Sequence, residues 1–157
     1  EKFDRFLGPN RPEMLSWLFW QMGSAPYLGG GFGHFYAYAP EKWEYPINRF
    51  AMEVKRQLDV LDKRLADNQF LVGADYTIAD MANWAWVRTH GWSGINIEGL
   101  DNLSRWMGAV AARPGAQRGG KVPVDIAELM DAKRKEDADE FSKNARSMVL
   151  GAQPAED

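Results

Sequence analysis

The chain's 157 residues suit one domain, and 45% hydrophobic against 26% charged residues is enough to bury a core, which excludes a disordered chain. A formal charge of −3 offers no basic footprint for nucleic acid, and no apolar run is long enough to span a bilayer. With no cysteine the chain has no thiolate, disulfide or thiolate–metal chemistry, while seven Trp, five Tyr and eight Phe supply rings for a core and a small-molecule pocket.

Residues 1–7 read as the last turn of a preceding element, stopped by Gly8-Pro9. Pro12 suits the first turn of a helix opened at Asn10 or Arg11, and Met14, Leu15, Trp17, Leu18, Phe19 and Met22 give that helix a wide apolar surface. Residues 26–40 combine Gly29-Gly30-Gly31 and Gly33 with several aromatics and have little period, so they predict a helix end followed by an ordered loop. The clearest helix spans 41–68, where Ile47, Phe50, Val54, Leu58, Leu61 and Leu65 recur at three and four. Pro46 either kinks it or marks its first turn. Gly73-Ala74-Asp75 turns the chain into a third helix over about 78–90, and a fourth spans 100–112. Arg113-Pro114-Gly115 ends the fourth, and a short piece follows at 116–120. No segment alternates like a strand, so the expected fold is an all-α helical bundle with short connections. From Val124 the chain is charge-dense, with Lys133-Arg134-Lys135 running into Glu136-Asp137 and sparse anchors at Ile126, Leu129, Met130, Phe141 and Met148. It is either an amphipathic helix laid on the body, frayed over 153–157, or a solvated extension.

Tyr76-Thr77-Ile78-Ala79-Asp80-Met81 is the sharpest local motif. Thr77 at the N-cap accepts from the backbone N–H of Asp80, and the Asp80 carboxylate returns a bond to the Thr77 N–H, a capping box with Asp in place of the commoner Glu. Tyr76 and Met81 occupy the hydrophobic-staple positions. The spacing gives Asp80 a structural role in preference to a catalytic one.

Leu71-Val72-Gly73-Ala74-Asp75-Tyr76-Thr77-Ile78-Ala79-Asp80, followed by an aromatic-rich helix and Ala112-Arg113-Pro114, resembles the C-terminal domain of cytosolic glutathione transferases. Trp17-Leu18-Phe19-Trp20, the segment from Ala25 through Phe35, and Tyr45-Pro46-Ile47-Asn48-Arg49-Phe50 are similar to the bacterial Nu class and its fungal prion-like relatives. The likeness covers roughly residues 1–123. It implies three parts: residues 1–9 as the end of a thioredoxin-like domain with its linker, 10–123 as the helical domain, and 124–157 as a charged C-terminal extension. It further implies that the groups activating glutathione lie in a thioredoxin-like N-terminal domain outside this chain, so no catalytic residue is expected here. The helical half would form the wall of the electrophile pocket and part of a homodimer interface in a cytoplasmic protein. Glutathione or glutathione disulfide is the implied co-substrate, with conjugation, disulfide or peroxide reduction, or cleavage of aryl-ether-derived thioethers as the reaction. A non-catalytic interaction module is the other class of reading.

Several residues are candidates for this half's share of binding. Arg49, at the polar edge of a helix start, either pairs bidentately with a glutathione carboxylate or makes a surface salt bridge. Tyr36 either aims its hydroxyl at ligand or satisfies local backbone. Trp92 is pocket wall or core. Gln21 is a candidate donor to a glutathione carbonyl, and His34 and Phe35 belong to the aromatic segment. His34 and His90 are the only histidines and lack metal-ligand spacing, so structural roles are favoured and no metal is expected. The glycine run lacks the Lys-Ser/Thr ending of a phosphate loop. Glu41, Glu44 and Glu53 read as solvated helix-face charges.

Overall fold

A computed structural model describes residues 6–25, 27, 32–91 and 93–122. Its helices are α1 (Arg11–Ala25), α2 (Glu44–Ala66), α3 (Ile78–Val87), α4 (Asp101–Ala111) and α5 (Pro114–Gly119), with a single π-helical turn at His34–Tyr38 before α2. The bundle is all-α among the described residues. Only isolated bridges at Phe70–Gly73 and Val72–Asp75 tighten the turn before α3.

The boundaries follow local chemistry. Asn10 Oδ1 accepts from the Glu13 N–H at 3.3 Å and Asn10 Nδ2 donates to Glu13 Oε2 at 3.0 Å, which starts α1. α2 begins at Glu44, three residues later than its expected start. Pro46 has no N–H and is tolerated only in a first turn, so it sets the start and makes no kink. The expected loop of residues 26–40 is helical over part of its described length, a winding that a glycine- and aromatic-rich segment does not announce through periodicity. α3 closes at Val87, and turns carry the chain through His90, where Ser93 Oγ donates to the His90 carbonyl at 3.0 Å. α5 begins at Pro114, two residues before the expected short piece, with proline in the first turn. The expected helix or extension from Val124 onward lies outside the described residues.

α1 packs on α3 and α2 packs on α4. Val54, Leu58, Leu61 and Leu65 present one buried stripe of α2 to Leu103, Trp106 and Val110 of α4, and Ile47 and Phe50 pack half-buried at its edge. Each fully buried leucine contributes about 1.5–3 kcal/mol of transfer free energy. Polar ties fix the register of these helices. Asp62 on α2 accepts from the Leu103 N–H at 2.9 Å, and Arg105 on α4 donates to the Leu65 and Asn68 carbonyls at 2.8 and 3.0 Å. Arg64 joins α1 to the turn before α3 through Glu13 and the Leu71 carbonyl.

Thr77 and Asp80 form the expected capping box, both fully buried. The Thr77 hydroxyl accepts from the Ala79 N–H at 3.3 Å, while the Asp80 N–H, its expected donor, bonds the Thr77 carbonyl at 3.1 Å. The Asp80 carboxylate does more than cap. It accepts from the Thr77 N–H and hydroxyl, and from the Leu71 N–H and the Trp106 indole N–H, each of these two at 2.9 Å. One side chain thus fastens α3, the preceding turn and α4.

Candidate functional site

The π-helical turn carries His34, Phe35 and Tyr36 and packs on α2. Phe35 lies 5.2 Å from Phe50 and 5.2 Å from His34 between ring centroids, and Tyr27 lies 5.6 Å from Phe50. These contacts set a line of rings beside the start of α2, one residue along from Arg49. Tyr36 stacks on buried Phe32 at 5.4 Å. Its carbonyl accepts from Lys42 Nζ at 2.6 Å, and its phenol lies over Gly94, where a Cβ would meet the hydroxyl at 2.6 Å. Gly94 also has φ +70°, so both its backbone and its bare Cα admit that ring.

Arg49 is exposed, with 55% of its side-chain surface accessible and Glu53 3.9 Å away. That pairing is loose, because the Glu53 carboxylate is held at 2.6 and 3.0 Å by Arg56 and at 3.1 Å by Gln57. Arg56 foremost keeps the Glu53 carboxyl below its ordinary range. The Arg49 guanidinium therefore keeps donors to spare for an anion.

The other sequence candidates fall elsewhere. Gln21 is buried at 5% exposure on α1. Trp92 lies outside the described residues. His90 is structural, its Nδ1 2.8 Å from the Ile95 carbonyl. Glu41 is engaged by the Trp43 indole N–H at 2.7 Å. Among the described residues no group of three or more His, Asp or Glu side chains is placed to hold a metal, and no helix is long and apolar enough to cross a membrane.

Sequence reading missed a cleft of about 860 Å³ where α3 meets the α4–α5 corner, lined in part by Tyr76, Met81, Trp84, Arg88, Arg113 and Arg118. None of the described candidate binding residues lines it. Arg113 sits 3.7 Å over the Tyr76 ring and Arg88 5.0 Å over the Trp84 ring. Burial raises the Tyr76 hydroxyl above its ordinary pKa, Arg113 opposes that shift, and the nearby Asp80 charge adds to it. The walls come from segments far apart in the chain. The only signal available beforehand was the helical recurrence of Met81, Trp84 and Arg88.

An all-α bundle whose central helix opens on a buried Thr–Asp capping box is the architecture of the glutathione transferase C-terminal domain. Residues 16–114 match the family described as Glutathione S-transferase, C-terminal domain, and the chain belongs to that family. It is 47% identical over 162 residues to the disulfide-bond oxidoreductase YghU of Escherichia coli, covering 96% of this chain and 56% of that protein. The structure of glutathione transferase YghU from Streptococcus pneumoniae, complexed with glutathione, is 51% identical with TM-score 0.70, covering 78% of this chain and 51% of that one. A Burkholderia graminis glutathione transferase with two glutathione molecules bound per subunit is 32% identical with TM-score 0.71, covering 78% and 55%. The chain spans about half the length of the curated relatives it matches.

Proposed function

We propose that this chain is the helical half of a glutathione-dependent disulfide-bond reductase of the glutathione transferase family, working with a thioredoxin-like half that activates the thiol. The likeness to the Escherichia coli disulfide-bond oxidoreductase, which runs along nearly the whole chain, carries this reading. The Streptococcus pneumoniae relative's bound glutathione and the Burkholderia graminis relative's two glutathione molecules support glutathione and its disulfide as ligands. In the reaction two glutathione thiols give up two protons and two electrons. A substrate disulfide takes them up as two thiols, and glutathione disulfide is released.

The helical half holds the second glutathione moiety and the substrate. His34, Phe35 and Tyr36 form the apolar wall, and the Arg49 fork takes a carboxylate. Exposed Phe19 and Met22 on α1 and exposed Tyr45 and Met52 on α2 are apolar surface suited to a second copy, which supports a homodimer. The compartment is the cytoplasm.

Turnover of a small organic disulfide by glutathione, measured on the two-half protein, tests the reading. Stoichiometric glutathione disulfide and free thiol support it. Glutathione consumed only in thioether formation or cleavage would replace disulfide reduction as the activity, and no glutathione binding at all would leave an interaction module.

A further inference from the structure

Gly94, in the connection between α3 and α4, meets Tyr36 at the tip of its ring. A Cβ at residue 94 would stand 2.6 Å from the phenol oxygen and 3.1 Å from the ring carbon that bears it. The backbone on both sides of Gly94 is pinned. The Ile95 N–H and the Ser93 hydroxyl both donate to the His90 carbonyl at 3.0 Å, and His90 Nδ1 lies 2.8 Å from the Ile95 carbonyl. The Gly94 N–H itself donates to the Gly91 carbonyl at 3.2 Å, and the flanking Ser93 and Ile95 are buried. Bulk added at residue 94 therefore moves the ring, because the turn cannot give.

The ring has one way to go. The backbone of its π-helical turn is held, with the Ala39 N–H donating to the His34 carbonyl at 2.7 Å and Lys42 Nζ to the Tyr36 carbonyl at 2.6 Å. One face of the ring lies against Phe32, which is buried at 2% exposure and blocks movement in that direction. Tyr36 itself keeps 42% of its surface exposed, so the open side takes the displacement. Restoring an ordinary contact distance of about 3.5 Å between the new methyl and the phenol shifts the ring tip by roughly an ångström.

We propose that Gly94 is a positioning residue: by leaving room for the Tyr36 phenol it sets how far the aromatic wall projects toward a bound disulfide, and so which disulfides fit. This rests on the functional reading above, in which Tyr36 belongs to that wall. Gly94 touches no reacting atom in this account. A wall that is out of place weakens ground state and transition state alike, so the effect falls on KM and not on kcat.

Gly99→Ala is the control, because its φ of +84° imposes the same kind of backbone strain while an added Cβ would meet nothing within 4 Å. In the two-half protein made with 3-fluorotyrosine, the Tyr36 fluorine resonance is assigned by its loss in Tyr36→Phe. Gly94→Ala should move that resonance and raise the KM for bis(2-hydroxyethyl) disulfide about tenfold, with kcat held within about twofold. Gly99→Ala should do neither. In a Tyr36→Phe background, which removes the oxygen at 2.6 Å, Gly94→Ala should raise KM by no more than about threefold, the mark of a direct coupling between the two positions. An unmoved resonance, an unchanged KM, or an equal KM rise in Gly99→Ala overturns the proposal. So does the full penalty persisting in the Tyr36→Phe background. A parent protein that turns over no disulfide defeats the functional reading and this role with it, and the parent alone shows that before any variant is compared.

Discussion

Asp80 is fully buried and accepts from two backbone N–H groups, a hydroxyl and an indole. Asp80→Ala leaves those donors without an acceptor, and each such orphan costs about 1–3 kcal/mol, so the variant should lose at least about 2 kcal/mol. Thr77→Ala removes the cap and the hydroxyl bond to Asp80 and should cost about 1 kcal/mol or more. Chemical denaturation showing both variants within about 0.3 kcal/mol of the parent would sink this assignment. The role proposed for Arg49 is in ligand binding instead. Being exposed and loosely paired, it contributes little to folding, yet Arg49→Ala in the two-half protein should weaken glutathione disulfide binding by about 1.5–3 kcal/mol. Arg49→Lys should recover part of that loss, since an ammonium cannot form the bidentate fork. Calorimetric titration decides, and unchanged affinity in Arg49→Ala returns the residue to the surface salt bridges. Tyr76 governs a pH dependence. Its hydroxyl is raised above the ordinary value near pH 10, chiefly by burial, so up to that pH folded and unfolded chains both keep the proton. Above it the unfolded side chain ionises first and stability falls. Tyr76→Phe keeps the ring under Arg113 and should lose less stability than the parent between about pH 9.5 and 11.

At the scale of elements, α2 shows what was legible beforehand and why. Val54, Leu58, Leu61 and Leu65 recur with the helix period, and the structure buries all four. Leu61→Ala should therefore cost about 2–5 kcal/mol in denaturation, against a few tenths for Lys55→Ala on the exposed face. The capping box was legible for the same reason, since both of its partners lie within one turn. The Trp106 indole that completes the Asp80 network sits 26 residues further on, and nothing in local spacing points to it. The π-helical turn was missed because glycine and aromatics carry no period. Arg49 could be named from its neighbours, but the Arg56 and Gln57 contacts that occupy Glu53, and so leave Arg49 loosely held, emerge only from the folded helix. The cleft was invisible because its walls come from α3, the end of α4 and α5.

At the scale of the molecule, the proposed function gives the helical bundle a pocket wall at its aromatic turn and a carboxylate anchor at Arg49, and assigns it no group to generate a thiolate. The chain has no cysteine, and its described histidines pack against Ile95 and Phe35. Lowering a thiol's pKa takes a positioned donor or cation beside the sulfur. The proposed division of labour assigns that group to the thioredoxin-like half, and pocket, anchor and second-copy surface to this one. The most direct measurement is glutathione-dependent reduction of a small organic disulfide by two purified proteins, this 157-residue chain and the same chain joined to its upstream half, each free of host transferase. The expected result is turnover by the joined protein and none above background by the helical half. Turnover by the helical half alone, or none by the joined protein with glutathione bound, contradicts it.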